Sequence, residues 1–177
     1  RFGSAQFYRR ELQIVAQGHT EICGVHVDKI KPRVLQWLIV SHHGSRYLIA
    51  HLHGIWIKDN TKGDDPMRED QSREVRFLLD QLMQRYEVEH IIFGGDLNLD
   101  INTKALRMLE TGEAVTPALR LRNLVREFDI INPRTPQYRS YYTEDASLYA
   151  DYVLVDSTVT VHDFWVVNRT TISDHAP

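Results

Sequence analysis

Short apolar runs separated by polar turns predict several strands in the first third of the chain. The runs lie at residues 12–16, 34–40 and 47–52, and residues 5–8 are also strand-like. Between the second and third runs stands Ser41-His42-His43-Gly44-Ser45, a turn-like sequence. Two β-rich runs joined by such a turn predict an antiparallel hairpin.

Three later segments have the spacing of helices. Asp65 can cap a first helix that Pro66 opens, and a second covers residues 104–110 and is closed by Gly112. A third is predicted to open at Thr116-Pro117. Residues at helical spacing give the first helix an apolar face of Val75, Leu78, Leu79, Leu82, Met83 and Tyr86, and the third one of Leu121, Leu124, Val125 and Phe128.

Further strands alternate with these helices. Residues 88–93 form a β-branched and aromatic run that is predicted to end at a turn made by Gly94 and Gly95. Residues 149–155 and 159–167 have the same character and are divided by Asp156-Ser157. Strands interspersed with helices predict an α/β fold with a mixed sheet packed against helices. In such folds, functional residues gather at strand ends.

Composition limits the functional classes. The chain has 177 residues, of which 42% are hydrophobic and 25% charged, so we expect one globular domain over residues 1–177. We expect this domain to be incomplete at both ends, because the sequence opens inside a strand-like segment without a starting Met and stops where another strand would be expected. A net charge of −3 gives no bulk attraction to polyanions. The single Cys23 suits a reducing compartment, and no apolar run has the length of a membrane span. We therefore expect a soluble and preferentially cytoplasmic protein.

Polar residues that follow these strands have the chemistry of a phosphoesterase. Asp96 and Asn98 come directly after the glycines, and the later Asp174 and His175 end the set. Asp96 can orient a water molecule, Asn98 can donate to a phosphate oxygen, and His175 can do so as a cation. Asp151, at a strand start, is the expected carboxylate partner of His175. Asp174 can approach Mg²⁺ or Mn²⁺ directly or through water.

Each of these assignments has a structural alternative. Gly94-Gly95-Asp96 is also typical of an ordinary strand-to-loop turn, Asp151 of a capping or pairing residue, and His175 of a surface residue. His51 and His53 share one side of a strand, so either can face the site. Several other residues are interpreted as structural or solvated: His42 and His43 in the hairpin, Arg68 and Gln71 on the first helix, and the aromatic Tyr138, Tyr141 and Tyr142.

The ordered motifs resemble the endonuclease/exonuclease/phosphatase superfamily. The resemblance covers residues 3–177 and rests on these segments: Gly95-Asp96-Leu97-Asn98, Ala150-Asp151-Tyr152-Val153-Leu154-Val155, Ser173-Asp174-His175, His53-Gly54-Ile55-Trp56, Lys62-Gly63-Asp64-Asp65-Pro66, Arg68, and Gln71-Ser72. It implies a deoxyribonuclease-I-like, two-sheet α/β sandwich that lacks its first strands. It also implies a metal-dependent hydrolase acting on nucleic acids, sugar or inositol phosphates, or phospholipid head groups.

The resemblance also implies residue roles. Asp96 and Asn98 take the water-orienting and phosphate-binding positions, and Asp151 orients His175. Asp174 takes a metal-proximal position, and His53 that of a second active-site histidine. An early Asn and a metal-binding Glu of the family have no match, because Glu11 and Glu21 lie too late in the chain. Weak Mg²⁺ binding through Asp174 and Asp96 is therefore expected. A non-catalytic binding or regulatory module that retains the fold is the alternative.

Overall fold

The described residues form one six-stranded sheet with three helices. The structure, a computed structural model, describes residues 5–22, 33–58, 61–112, 119–131, 133–135, 147–169, 173 and 175. The strands are β1 (Gln13–Ile22), β2 (Arg33–His42), β3 (Ser45–Leu52), β4 (His90–Asp96), β5 (Leu121–Asn123) and β6 (Asp151–Asp156). The helices are α1 (Pro66–Tyr86), α2 (Lys104–Thr111) and α3 (Leu124–Glu127). None of the helices in these ranges is long and apolar enough to cross a membrane.

The sheet is mixed, with the strand order β1-β2-β3-β4-β6-β5. Strands β3 and β4 are parallel, whereas every other neighbouring pair is antiparallel. The ends of β3 and β4 therefore lie at the same edge of the sheet as the start of β6. The predicted hairpin is present as β2 and β3, with the exposed His42 and His43 at its turn.

Helix α1 begins as its sequence predicts. Asp65 accepts a hydrogen bond from the backbone N–H of Met67 at 2.8 Å, and Pro66 occupies the first turn, where its missing N–H leaves no helical bond unmade. Helix α2 is capped in a similar way by Thr103 and ends at Gly112. Both helices cover one face of the sheet. The core comprises Leu48, Ala50, Leu52, Ile91, Phe93, Tyr152 and Leu154 from the strands, and Val75, Leu79, Leu82, Leu106 and Leu109 from the helices.

Three predicted elements differ in the structure. Residues 121–123 belong to a strand rather than a helix, because they pair with β6, and α3 begins only at Leu124. Residues 159–167 form no strand, because β6 already has β4 on one side and β5 on the other. Residues 5–8 are not in a strand either, and Phe7 is almost fully exposed. Residues 116 and 117 lie outside the described residues.

Gly94 and Gly95 do not make the predicted turn. Strand β4 runs through both and ends at Asp96. A Cβ atom on Gly94 would lie 2.6 Å from the carbonyl oxygen of Tyr152, and one on Gly95 would overlap that of Leu52. The absence of side chains therefore permits close backbone approach at the sheet edge, and Gly95 also has a φ of +132°.

We expect Gly95→Ala to lower the free energy of unfolding by about 3 kcal/mol, since it combines a disfavoured backbone conformation with an overlap against backbone. Gly44→Ala is the matched control, because Gly44 also has a positive φ but no atom lies within 4 Å of an added Cβ. We expect it to cost about 1 kcal/mol. Urea unfolding measures both, and equal losses would contradict the proposed close approach.

Candidate active site

The site is built where β3, β4 and β6 meet. Asp96, the last residue of β4, is directly opposite Asp151, the first residue of β6. The N–H of Gly54, just beyond β3, donates to the carbonyl of Asp96 at 2.7 Å, and the N–H of Leu97 donates to that of Ala150 at 2.7 Å. Backbone hydrogen bonds thus fix the two carboxylates and the segment that carries His53 relative to one another.

His175 joins this edge from a distant part of the chain. Its Nδ1 hydrogen-bonds Oδ2 of Asp151 at 2.8 Å, as predicted. Its backbone forms an antiparallel bridge with Arg134, and its N–H donates to Oγ of Ser173 at 3.1 Å. The hydrogen bond to Asp151 raises the pKa of His175, although burial opposes this shift. The imidazole is thereby favoured as a cation.

Asp96 lies between two histidines. Its Oδ2 is 3.7 Å from Nε2 of His53 and 3.6 Å from Nε2 of His175. Burial raises the pKa of Asp96, and the charge of Asp151 raises it further, whereas His175, His53 and Arg134 act in the opposite direction. The neighbouring positive charges therefore stabilise the ionised form of Asp96 against the effect of burial.

Asn98 lies behind Asp96 and is almost completely buried. Its N–H donates to Oδ1 of Asp96 at 3.0 Å, which forms a local turn typical of Asp. Its side-chain Nδ2 donates to the carbonyl of Gly54 at 3.4 Å, and its φ is +53°. Asn tolerates this left-handed conformation better than most residues. Asn98 therefore links the ends of β3 and β4 beside the two carboxylates.

Two buried cations next to the carboxylates were not predicted from the sequence. Arg134 is 2% exposed, and its Nη1 lies 3.5 Å from Oδ2 of Asp151. Lys62 is 7% exposed and donates to the carbonyl of Tyr149 at 2.9 Å. Burial lowers the pKa of Lys62 to about 8, and Arg134 lowers it as well, while Asp96 and Asp151 oppose the shift. Lys62 stands in a segment that carries the family resemblance, but Arg134 has no motif around it.

His51 and Arg33 also lie near Asp96. The pKa of His51 is lowered by burial and by His53, and raised by Asp96 and Asp151. The pKa of Arg33 is lowered by burial, and Asp96 again opposes the shift. A Cβ on Gly95 would lie 3.0 Å from Nε2 of His51, so this ring is packed directly against the end of β4. His51 on β3 and His53 just beyond it therefore both border the site, rather than one alone.

The structure brings together five of the six predicted residues. They are His53, Asp96, Asn98, Asp151 and His175. The predicted metal ligand Asp174 lies outside the described residues, as do Tyr138, Tyr141 and Tyr142. Arg68 and Gln71 have structural contacts: Arg68 donates to the carbonyl of Gly63, and Gln71 accepts from the N–H of Ile55.

The donor set fits a divalent cation in part. One ligand atom from each of Asp96, Asp151 and His175 lies within 4.8 Å of the other two. Mg²⁺ prefers oxygen ligands and keeps several waters, so one or two carboxylates are an adequate protein contribution. Asp151, however, is already paired with His175 and Arg134. Asp96 is therefore the carboxylate among the described residues that is best suited to a metal.

The fold and this arrangement define a deoxyribonuclease-I-like α/β protein. The chain belongs to the endonuclease/exonuclease/phosphatase family, whose model matches residues 5–175. No curated protein sequence matches the chain. The predicted family and fold class are thus confirmed, and the described residues supply one of the two expected sheets.

Solved structures with the same fold include proteins that act on different molecules. A mannosyl-6-phosphatase of Bacteroides thetaiotaomicron is 17% identical, with a TM-score of 0.66 over 96% of this chain and 66% of its own. The human Nocturnin catalytic domain with bound sulfate is 16% identical, with a TM-score of 0.60 over 93% and 57%. Danio rerio TDP2 complexed with a single-stranded DNA product is 16% identical, with a TM-score of 0.58 over 93% and 66%. The chain thus spans less than two thirds of each of these proteins.

We expect Asp151→Asn to lower the pKa of His175, because the variant removes the carboxylate that stabilises the imidazolium. An NMR titration of the His175 ring measures the shift. The stability contributed by the charged ring is complete below its ordinary pKa of 6.5 and is lost as the pH rises through the raised value. Losing this charged hydrogen bond costs about 2 kcal/mol at low pH. An unchanged titration, as expected for the exposed control Asp163→Asn, would contradict the pairing.

We expect Asp96→Asn to stabilise the protein at pH 7 in EDTA. Burial raises the pKa of Asp96, so its ionised form is disfavoured in the fold, and stability is lost as the pH rises above the ordinary value of 3.8. An amide avoids this loss. The gain in melting temperature should therefore disappear below about pH 4, where the carboxyl group is protonated in both states. A lower melting temperature at pH 7, relative to wild type and Asp163→Asn, would contradict this balance.

Proposed function

We propose that the protein hydrolyses phosphoester bonds with the help of Mg²⁺ or Mn²⁺. The observation that carries the proposal is the hydrogen-bonded pair of His175 and Asp151 next to the partly buried carboxylate of Asp96. A cationic donor and a carboxylate on one surface suit a reaction that needs a positioned water and charge stabilisation on phosphate oxygens. Family membership supports the same reaction class.

The residues have distinct roles in this proposal. Asp96 orients the attacking water. Burial raises the pKa of Asp96, which suits a carboxylate that accepts a hydrogen bond from water and then takes up a proton. His175 donates from Nε2 to a phosphate oxygen, and Asp151 keeps the ring oriented and charged. Asn98 contributes an uncharged donor, and His53 a second imidazole on the other side of Asp96.

A divalent cation would be held by Asp96 and by Asp174, with water completing its coordination. When bound, it stabilises negative charge on the phosphate oxygens. The buried Lys62 and Arg134 offset the two carboxylates, so the site has no large excess of negative charge that would repel an anionic substrate.

The same reaction can act on more than one class of phosphoester substrate. One similar structure is a mannosyl-6-phosphatase and another holds a single-stranded DNA product, so sugar phosphates and nucleic acids are both reasonable substrates. A net charge of −3 does not favour long polyanions. We therefore rank small phosphorylated molecules above DNA.

The proposal is tested by activity assays in Mg²⁺, Mn²⁺ or EDTA. Substrates are sugar and inositol phosphates, bis-p-nitrophenyl phosphate, plasmid DNA and an abasic duplex. We expect metal-dependent cleavage of at least one, and a loss of kcat/KM by about 10²- to 10⁴-fold in Asp96→Asn and His175→Ala, since each removes a group that acts in the transition state. His42→Ala, in the exposed hairpin turn, is the control and should keep full activity.

Absence of cleavage with either metal, or site variants as active as His42→Ala, would contradict the hydrolase proposal. The alternative is then a binding module that retains the fold. Isothermal titration with the same uncleaved phosphates distinguishes the two, because a binding module would still bind them and would lose affinity in His175→Ala.

A further inference from the structure

Arg134 is a buried cation in a segment without regular secondary structure. Its side chain is 2% exposed, and its Nη1 lies 3.5 Å from Oδ2 of Asp151. A guanidinium group removed from water is destabilising unless a counter-charge accompanies it. Asp151 supplies such a charge, so the two side chains constrain each other's positions.

The backbone of the same segment holds the residues around His175. Arg134 and His175 form an antiparallel β-bridge. The hydroxyl of Thr135, which is fully buried, donates to the carbonyl of Ser173 at 2.7 Å. This attachment uses main-chain and hydroxyl groups, and is therefore independent of the guanidinium of Arg134.

These contacts converge on one oxygen atom. Oδ2 of Asp151 accepts from Nδ1 of His175 at 2.8 Å and faces Nη1 of Arg134 at 3.5 Å. The hydrogen bond of His175 and the positive charge of Arg134 act on the same oxygen, so both favour one orientation of the carboxylate and hence of the ring that it binds. The other ring nitrogen of His175 is then directed at Asp96, 3.6 Å away.

We propose that Arg134 is a positioning residue that locks the Asp151–His175 pair through Oδ2 of Asp151. Its effect on catalysis rests on the proposed hydrolase function, whereas its effect on the pair does not. Arg134 is buried and forms an ion pair with Asp151, through which it acts. Lys is a poor replacement, because it lacks the planar, multiply donating fork of a guanidinium group.

The first experiment needs no substrate. The exchange rate of the Nδ1 proton of His175 with water is measured by NMR, without added metal, in wild type, Arg134→Met, Arg134→Lys and Arg122→Met. Arg122 is the matched control, because it is a partly buried, ion-paired arginine on β5, next to the end of β6 that lies opposite to Asp151. We expect exchange at least tenfold faster in Arg134→Met, a smaller increase in Arg134→Lys, and no change in Arg122→Met.

The second experiment measures kcat and KM on the substrate found to be cleaved. Arg134→Met should lower kcat about tenfold with little change in KM. The same change in an Asp151→Asn background should have almost no further effect on kcat, because its intermediary is already removed. A general structural role would instead lower activity in both backgrounds.

The outcomes are distinguishable. Unchanged exchange in a folded Arg134→Met protein would overturn the positioning role, as would equal kcat losses in the two backgrounds. If circular dichroism shows that Arg134→Met does not fold, Arg134→Lys decides: wild-type exchange overturns the proposal, and faster exchange supports it. If no substrate is cleaved, the hydrolase proposal fails, while the exchange measurement still tests the role of Arg134.

Discussion

The antiparallel register of β4 and β6 places Asp96 directly beside Asp151, and the rest of the site follows from that juxtaposition. Two neighbouring carboxylates that are partly buried repel each other and lose solvation. The surrounding cations and polar donors reduce this penalty: His175 contacts both acids, His53 lies beside Asp96, and Arg134 lies beside Asp151. The groups that reduce this penalty include those to which we assign phosphoester binding in the proposed function.

Much of the site was predictable because its residues occur in short local patterns. Asp96 and Asn98 follow a strand, Asp151 begins one, and a carboxylate at a strand start needs a partner. The directions of these strands then place the residues at one edge of the sheet, and this placement can be inferred without knowing how the side chains pack. His53 was identified by resemblance alone, since alternation along β3 places His51 on the same side.

The sequence predicted less where contacts between distant segments decide the structure. Arg134 and Lys62 are buried by neighbours far along the chain, and isolated basic residues in loops are usually solvated. Residues 121–123 have helical spacing, but pairing with β6 stabilises them as a strand. The apolar residues of 159–167 have no edge of β6 to join, and Phe164 instead packs near Phe128, with ring centroids 5.9 Å apart. The glycines of β4 illustrate the same limit, because a demand for space between strands cannot be distinguished from a turn in sequence.

The attachment of residues 133–135 to residues 173 and 175 has a consequence for synthesis on the ribosome. The six described strands, both carboxylates and Arg134 leave the ribosome before His175 does. The nascent chain can therefore bring Asp96, Asp151 and Arg134 together before the imidazole of His175 has been synthesised. His175 therefore joins the two carboxylates on described strands that have already been synthesised.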